Sequence, residues 1–204
     1  MSRYVGRENL RKRLEPLEGG PGRSLYRDGL ARFELPDATL TVRPPFPLAH
    51  EAEYAVVHVE PLLAALAEDR LVGALLVRLG GYAVGVFDGE TLVASKVGRR
   101  YVHGRHRAGG SSAGRFRRRR DEQAKALVEE AAATAVRVLD PYRDRLDALA
   151  LGGDRFAVRQ ALAARRELAS LETIALPRFF AVPEPRQRVL ERLAYELYAS
   201  EVTE

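Results

Sequence analysis

At 204 residues, 46% of them hydrophobic, the chain is long and apolar enough to build a substantial core. It has no cysteine, which removes disulfides, thiol catalysis and cysteine-held zinc, and its four histidines show no metal-ligand spacing. No apolar run is long enough to span a bilayer, and the charged opening MSRYVGRENLRKRLEPL lacks an apolar signal core, so the chain is expected to be cytoplasmic.

Arg7 to Leu17 places Leu10, Leu14 and Leu17 at helical spacing and runs into Gly19, Gly20 and Gly22, which predicts a short helix with a firm stop. Ser24 to Val42 reads as two or three short strands, followed by the stiff connector Arg43-Pro44-Pro45-Phe46-Pro47. Glu53 to Glu60 alternates like a strand with His58 on its outward face, and Pro61 opens a helix to Arg70. Three strands are predicted next, over Gly73–Leu79, Tyr82–Asp88 and Thr91–Val97, with Gly80-Gly81 and Asp88-Gly89 at the tight turns.

The meander leads into Arg99 to Arg120, RRYVHGRHRAGGSSAGRFRRRR, which holds nine arginines and no carboxylate. The net charge of the whole chain is only +5, so the remainder is net acidic and basicity is confined to this window. After it, Asp121–Leu139 reads as a helix with Leu127, Ala131, Thr134, Ala135 and Val138 on one face. A strand at Leu146–Leu151, a helix at Arg155–Leu168, a strand at Ser170–Leu176 and a helix at Glu184–Tyr198 complete the pattern. Antiparallel strands followed by helix–strand alternation imply an α/β fold, a mixed sheet flanked by helices. The expected division is an N-terminal annex over 1–50 and a main domain over 51–204.

So much localised positive charge points to nucleic acid held through phosphates. Arg99, Arg100, Arg105, Arg107, Arg115, Arg117, Arg118, Arg119 and Arg120 are the candidate RNA-binding residues. Consecutive arginines on a helix fan around it and reach more than one stretch of backbone, which favours folded RNA over a single groove. A run of this kind also reads as plain solvated surface. Between the arginines, Gly109-Gly110-Ser111-Ser112 has almost no side-chain bulk, so its backbone N–H groups can approach a ligand atom as an oxyanion hole does; its other reading is a flexible loop.

Other features divide in the same way. His103 and His106 suit phosphate contact or proton transfer, or neither. Tyr101 suits base stacking or packing on the sheet, and Lys96 either extends the basic face or is an exposed strand end. Gly152-Gly153-Asp154-Arg155 reads as an anion-binding turn or, more simply, as a helix start capped by Asp154. Neither nucleotide-binding glycine pattern, GxxxxGK[ST] or GxGxxG, occurs, and the window supplies none of the carboxylates a metal-dependent nuclease needs.

The order of residues in GGSSAGRFRRRRDEQ resembles the catalytic loop and following helix of the middle domain of archaeal and eukaryotic class 1 release factors. That pattern is Gly-Gly-Gln, Ser-Ala, a variable residue, Arg-Phe and a basic helix. It is matched here by Gly109, Gly110, Ser112, Ala113, Arg115, Phe116 and Arg117 to Arg120. The likeness extends over Leu75 to Ser200, while nothing resembles the codon-reading domain. A catalytic domain on its own looks more like the Vms-like release factor and peptidyl-tRNA hydrolase branch, including its actinobacterial members.

The resemblance implies an RNase H-like α/β domain with a projecting Gly/Arg-rich loop, catalytic residues at Gly109, Gly110, Ser111 and Ser112, and no cofactor or metal. Its implied partners are large-subunit rRNA and peptidyl-tRNA, and its implied activity is ester hydrolysis that frees nascent chains from stalled large subunits. One residue departs from the pattern. The family glutamine falls on Ser111 in the release-factor register, or on Ser112 in the Gly-Gly-Ser-Gln register of the Vms-like branch, and neither position carries it. Two other readings remain beside the hydrolase: a non-catalytic rRNA- or tRNA-binding module acting on stalled ribosomes, and a general nucleic-acid binder.

Overall fold

A computed structural model describes residues 2–100 and 113–204 of the chain, with side chains from Arg118 onward in the second stretch. The chain forms two compact units, one of Met1–Asp69 with Ala194–Glu204 and one of Arg70–Leu193. The sequence-based division between residues 50 and 51 therefore falls inside the first unit, which also takes up the C-terminal residues.

The first unit is built on a six-stranded antiparallel sheet. Its strands are β1 (Ser2–Val5), β2 (Arg23–Arg27), β3 (Leu30–Glu34), β4 (Thr39–Arg43), β5 (Ala52–Tyr54) and β11 (Ser200–Thr203), in the order β1-β11-β4-β3-β2-β5. Alternate residues of β2, β3 and β4 face inward, putting Tyr26, Phe33, Leu40 and Val42 in one core with Leu10 and Leu14 of helix α1 (Arg7–Leu14) and Leu62 and Leu66 of helix α2 (Glu60–Ala67). The sequence reading foresaw the inner strands but gave the annex no sheet or core of its own.

Two expectations need correction here. Of the predicted Glu53–Glu60 strand only Glu53 and Tyr54 lie in the sheet, as part of β5. Beyond it Val57 exchanges backbone hydrogen bonds with Gly19 and Gly20, while the N–H groups of His58 and Val59 donate to Ser24 Oγ (2.7 Å) and Glu18 Oε2 (2.6 Å). Side-chain acceptors thus replace a neighbouring strand. His58 is not on an outward strand face: its ring lies 2.7 Å from Glu18 Oε1 through Nδ1.

The second unit carries the mixed sheet expected. Its strands are β6 (Leu71–Arg78), β7 (Gly81–Asp88), β8 (Thr91–Arg99), β9 (Ala148–Gly153) and β10 (Ala175–Phe180), in the order β10-β9-β6-β7-β8. β6, β7 and β8 form the antiparallel meander, and β9 and β10 join parallel to β6. Residues 72–77 and 81–87 are buried without alternation, as expected of strands covered on both faces.

Helix α3 (Ala113–Leu139) lays Leu127, Val128, Ala131, Ala135 and Leu139 on one face of the sheet, joined there by Val158, Ala161 and Leu162 of helix α4 (Arg155–Ala163). Each fully buried aliphatic side chain contributes about 1.5–3 kcal/mol of transfer free energy, so this layer fixes α3 firmly on the sheet. The predicted Arg155–Leu168 helix is divided in two: after α4, Arg165 is extended and a short helix α5 (Arg166–Ala169) follows. Ser170–Ile174 is a 3-10 turn rather than the start of a strand, and β10 follows it. Helix α6 (Gln187–Leu197) begins within this unit, where Leu190 packs against Gly85 on the other face of the sheet.

Candidate functional site

The register of the second sheet brings several strand ends together. Arg78 of β6 pairs with Gly81 of β7, and Gly81 pairs with Arg99 of β8, while Gly153 of β9 lies beside Val77 of β6. The carboxyl ends of β6, β8 and β9 therefore open at the same end of the sheet. There β8 hands the chain to residues 101–112, and α3 takes it up at Ala113. A segment so mounted between a strand and a helix has a rigid scaffold on either side.

The end of β8 is tied to the turn before β7 and to the packed part of α3. Arg100 N–H donates to Gly80 O (3.1 Å), fixing the end of β8 to the β6–β7 turn. Arg99 reaches Glu184 (Nη2 to Oε1, 2.5 Å), and Arg186 bonds the same carboxylate. Hydrogen bonds from Arg186 and then Arg99 hold the Glu184 carboxyl below its ordinary pKa. Arg100 Nη1 lies 3.3 Å from Glu130 Oε2 on α3. The Tyr82 hydroxyl donates to the other oxygen of Glu130 (3.1 Å) and shares a 3.1 Å hydrogen bond with Thr134, which also accepts from Arg137 (3.1 Å). Burial raises the pKa of Tyr82, so its phenol stays protonated and available as a donor.

On the far side, α3 begins with an arrangement that a helix by itself disfavours. Its first turn has no acidic residue, and Arg115 and Arg117 to Arg120 crowd the end where the macrodipole is already positive. Among the residues whose side chains are described, Arg118 and Arg119 are exposed, Arg120 is half-buried, and the first buried position is Leu127. Nine residues with described side chains, 118–126, precede Leu127 and none of them is fully buried, which is about 13 Å of helix at ~1.5 Å per residue. Two positive features, dipole and guanidinium groups, thus coincide at one helix end, where a polyanion would relieve both.

Of the sequence-predicted site residues, Arg99 and Arg100 are exposed at the end of β8, each engaged with a carboxylate, and Lys96 is exposed on the same strand. Arg115 and Arg117 to Arg120 lie on α3, which starts eight residues earlier than the predicted Asp121. Arg105, Arg107, Gly109, Gly110, Ser111 and Ser112 lie outside the described residues, as do Tyr101, His103 and His106. Asp154 is the N-cap of α4, its carboxylate accepting from Ala157 N–H at 2.9 Å. Among the described residues there is no cluster of His, Asp and Glu able to hold a metal ion. Sequence reasoning missed Tyr82, Glu130 and Glu184. Tyr82 left one faint signal, a lone phenol in the otherwise aliphatic opening of β7.

The sequence profile described as "Actinobacteria/chloroflexi VLRF1 release factor" matches residues 70–203. Peptide chain release factor subunit 1 of Archaeoglobus fulgidus is 29% identical over 96 residues, which are 47% of this chain and 24% of that protein. The chain thus spans about a quarter of the length of the curated relative it matches. Among solved structures, archaeal translation termination factor aRF1 superposes with a TM-score of 0.44 at 16% identity, over 83% of this chain and 49% of that one. A second, titled only "Archaeal protein", superposes with a TM-score of 0.42 at 18% identity, over 85% and 51%.

Proposed function

Because the chain belongs to the actinobacterial and chloroflexi VLRF1 release factor family, we propose that it is a ribosome-rescue peptidyl-tRNA hydrolase. Family membership gives a role in translation termination or ribosome rescue and an interaction with the ribosome. The finer reading rests on one observation: Gly109-Gly110-Ser111-Ser112 falls between the anchored end of β8 and a helix that opens with an arginine run.

In this reading Arg105, Arg107, Arg115 and Arg117 to Arg120, with Arg99 and Arg100 behind them, hold rRNA and tRNA phosphates. The glycines leave the main chain bare enough to approach the ester joining the peptide to the terminal ribose of tRNA. Water attacks the carbonyl carbon, and negative charge collects on the carbonyl oxygen, where a backbone N–H after Gly110 stabilises it. The bond from carbonyl carbon to ribose oxygen then breaks. A proton goes to that oxygen, and the products are free tRNA and a peptide carboxylate. Loss of a donor of this kind typically costs on the order of 10²–10³ in rate. A serine at 111 keeps the N–H that a glutamine would offer, and its hydroxyl is small enough to leave room for water. The ribose hydroxyl of the substrate and the surrounding RNA would supply the general base.

The missing glutamine favours one second reading, a non-catalytic rRNA- or tRNA-binding module on stalled particles. Single-turnover release of peptide from peptidyl-tRNA on isolated large subunits separates the two. Release above the spontaneous rate supports the hydrolase; binding to the particles without release supports the module.

A further inference from the structure

The most exposed large hydrophobic side chain among the described residues is Phe156, which keeps 71% of its surface open. It lies in the first turn of α4, a helix whose buried face is complete without it: Val158, Ala161 and Leu162 fill the core. On the opposite face Arg155, Phe156, Arg159 and Gln160 are all exposed, and RFAVRQALA contains no carboxylate. The Asp154 carboxylate just ahead is engaged as the cap. The Arg155 guanidinium lies 4.2 Å from the ring centroid of Phe179 on β10, so one aromatic ring is covered by a cation while Phe156 is left open.

A single exposed hydrophobic residue needs no explanation by itself. An exposed ring with an arginine before it and another three residues after it is a different arrangement. The ring offers a stacking face, and Arg155 and Arg159 put positive charge on the same exposed face of α4, which would attract the phosphates of an RNA whose base stacked there. The location agrees. The Asp154 N–H donates to Val77 O (2.7 Å), which seats the start of α4 at the same sheet end as Arg99 and Arg100. β9 and β8 are three strand spacings apart, or about 14 Å.

We propose that Arg155, Phe156 and Arg159 form a second RNA contact, in which Phe156 stacks on an unpaired base and the two arginines take its flanking phosphates. The proposal rests on the release-factor reading for the presence of RNA at this end of the molecule. It does not depend on hydrolysis. Unpaired RNA is the occupant that both features fit, since duplex RNA hides its base faces and an acidic peptide would leave the ring unused.

The test is equilibrium binding of the full chain to a labelled single-stranded oligoadenylate of about twelve nucleotides, a probe chosen because stacking tolerates any base. Phe156→Ala should weaken binding roughly five- to hundredfold with no change in melting temperature, and Phe156→Trp should bind within about twofold of the parent. Arg159→Gln should lower the slope of log affinity against log salt by about 0.7. If Phe156→Ala binds as tightly as the parent, the contact does not exist. Because no peptidyl-tRNA is used, the outcomes separate. An inactive chain whose RNA affinity depends on Phe156 would remove the hydrolase and keep the contact. An active chain indifferent to Phe156 would do the reverse.

Discussion

A Cβ atom placed on Gly98 would stand 2.2 Å from Cζ of Tyr82 and 2.3 Å from its hydroxyl. The absence of a side chain on β8, one residue before Arg99, is what lets the Tyr82 ring lie across the strand and reach Glu130 and Thr134 on α3. The end of β8 and the packed part of α3 are therefore coupled through one buried phenol. Gly98→Ala should force that ring out of place and destabilise the protein by about 1–3 kcal/mol, read as a lower urea midpoint. Tyr82→Phe keeps the ring and loses only the hydroxyl, so it should cost about 0.5–1.5 kcal/mol.

Arg99 and Arg100 are held by carboxylates at the surface, and pairs this exposed contribute little to stability. If Arg99 holds RNA phosphates as proposed, Glu184 competes with them for it. Glu184→Gln should leave the melting temperature nearly unchanged and tighten binding to large ribosomal subunits. Arg99→Gln should weaken that binding and lower its salt slope by about 0.7. Equal affinity for both variants would remove Arg99 from the RNA face.

Asp154 and Gly153 should respond to substitution as structural residues. Asp154→Ala removes the cap of α4, at a cost of about 0.5–2 kcal/mol. Gly153 has φ +100° and no room for a Cβ, which would lie 2.2 Å from Val77 O, so Gly153→Ala should be the more damaging change. Thermal melts of both variants decide the order. If Asp154→Ala lost RNA binding without losing stability, the turn would be a ligand site rather than a cap.

What could be read from the sequence follows from where its signals are local. β6 and β7 are continuous apolar runs bounded by Gly80-Gly81, and the buried stripe of α3 has clear helical spacing; both were placed within a few residues. The start of α3 was not, because Arg117 to Arg120 carry no apolar periodicity although arginine itself favours helix. The expected Ser170–Leu176 strand lies too early: β10 runs on through Pro177 to Phe180, and as the sheet edge it tolerates the missing N–H. β1 and β11 are four-residue strands that pair across nearly the whole chain, Ser2 with Thr203 and Val5 with Ser200, and no local pattern announces such a partner. Of the candidate site, the arginine and glycine composition was visible at once. The Tyr82–Glu130–Arg100 coupling was not, since it joins a strand to a helix through contacts distant in sequence.

The first unit should show its own acid sensitivity. Burial raises the pKa of Glu18, but hydrogen bonds from His58 and the Val59 N–H outweigh that effect and leave it below the ordinary 4.5. A carboxyl depressed in the folded state contributes stability above its unfolded pKa and loses it as pH falls through the folded value. The gap in urea midpoint between parent and Glu18→Gln should therefore be widest near neutral pH and close progressively below about pH 4.5. A gap independent of pH would contradict this assignment.

The most direct test of the central claim compares single-turnover peptide release by the parent with release by Gly110→Ala and Ser111→Pro on isolated large subunits, with binding to the same particles measured alongside. The account predicts release by the parent and a loss on the order of 10²–10³ for Ser111→Pro, which lacks the N–H. Gly110→Ala should also lose turnover, and both variants should remain bound. Release by the variants at the rate of the parent would contradict it.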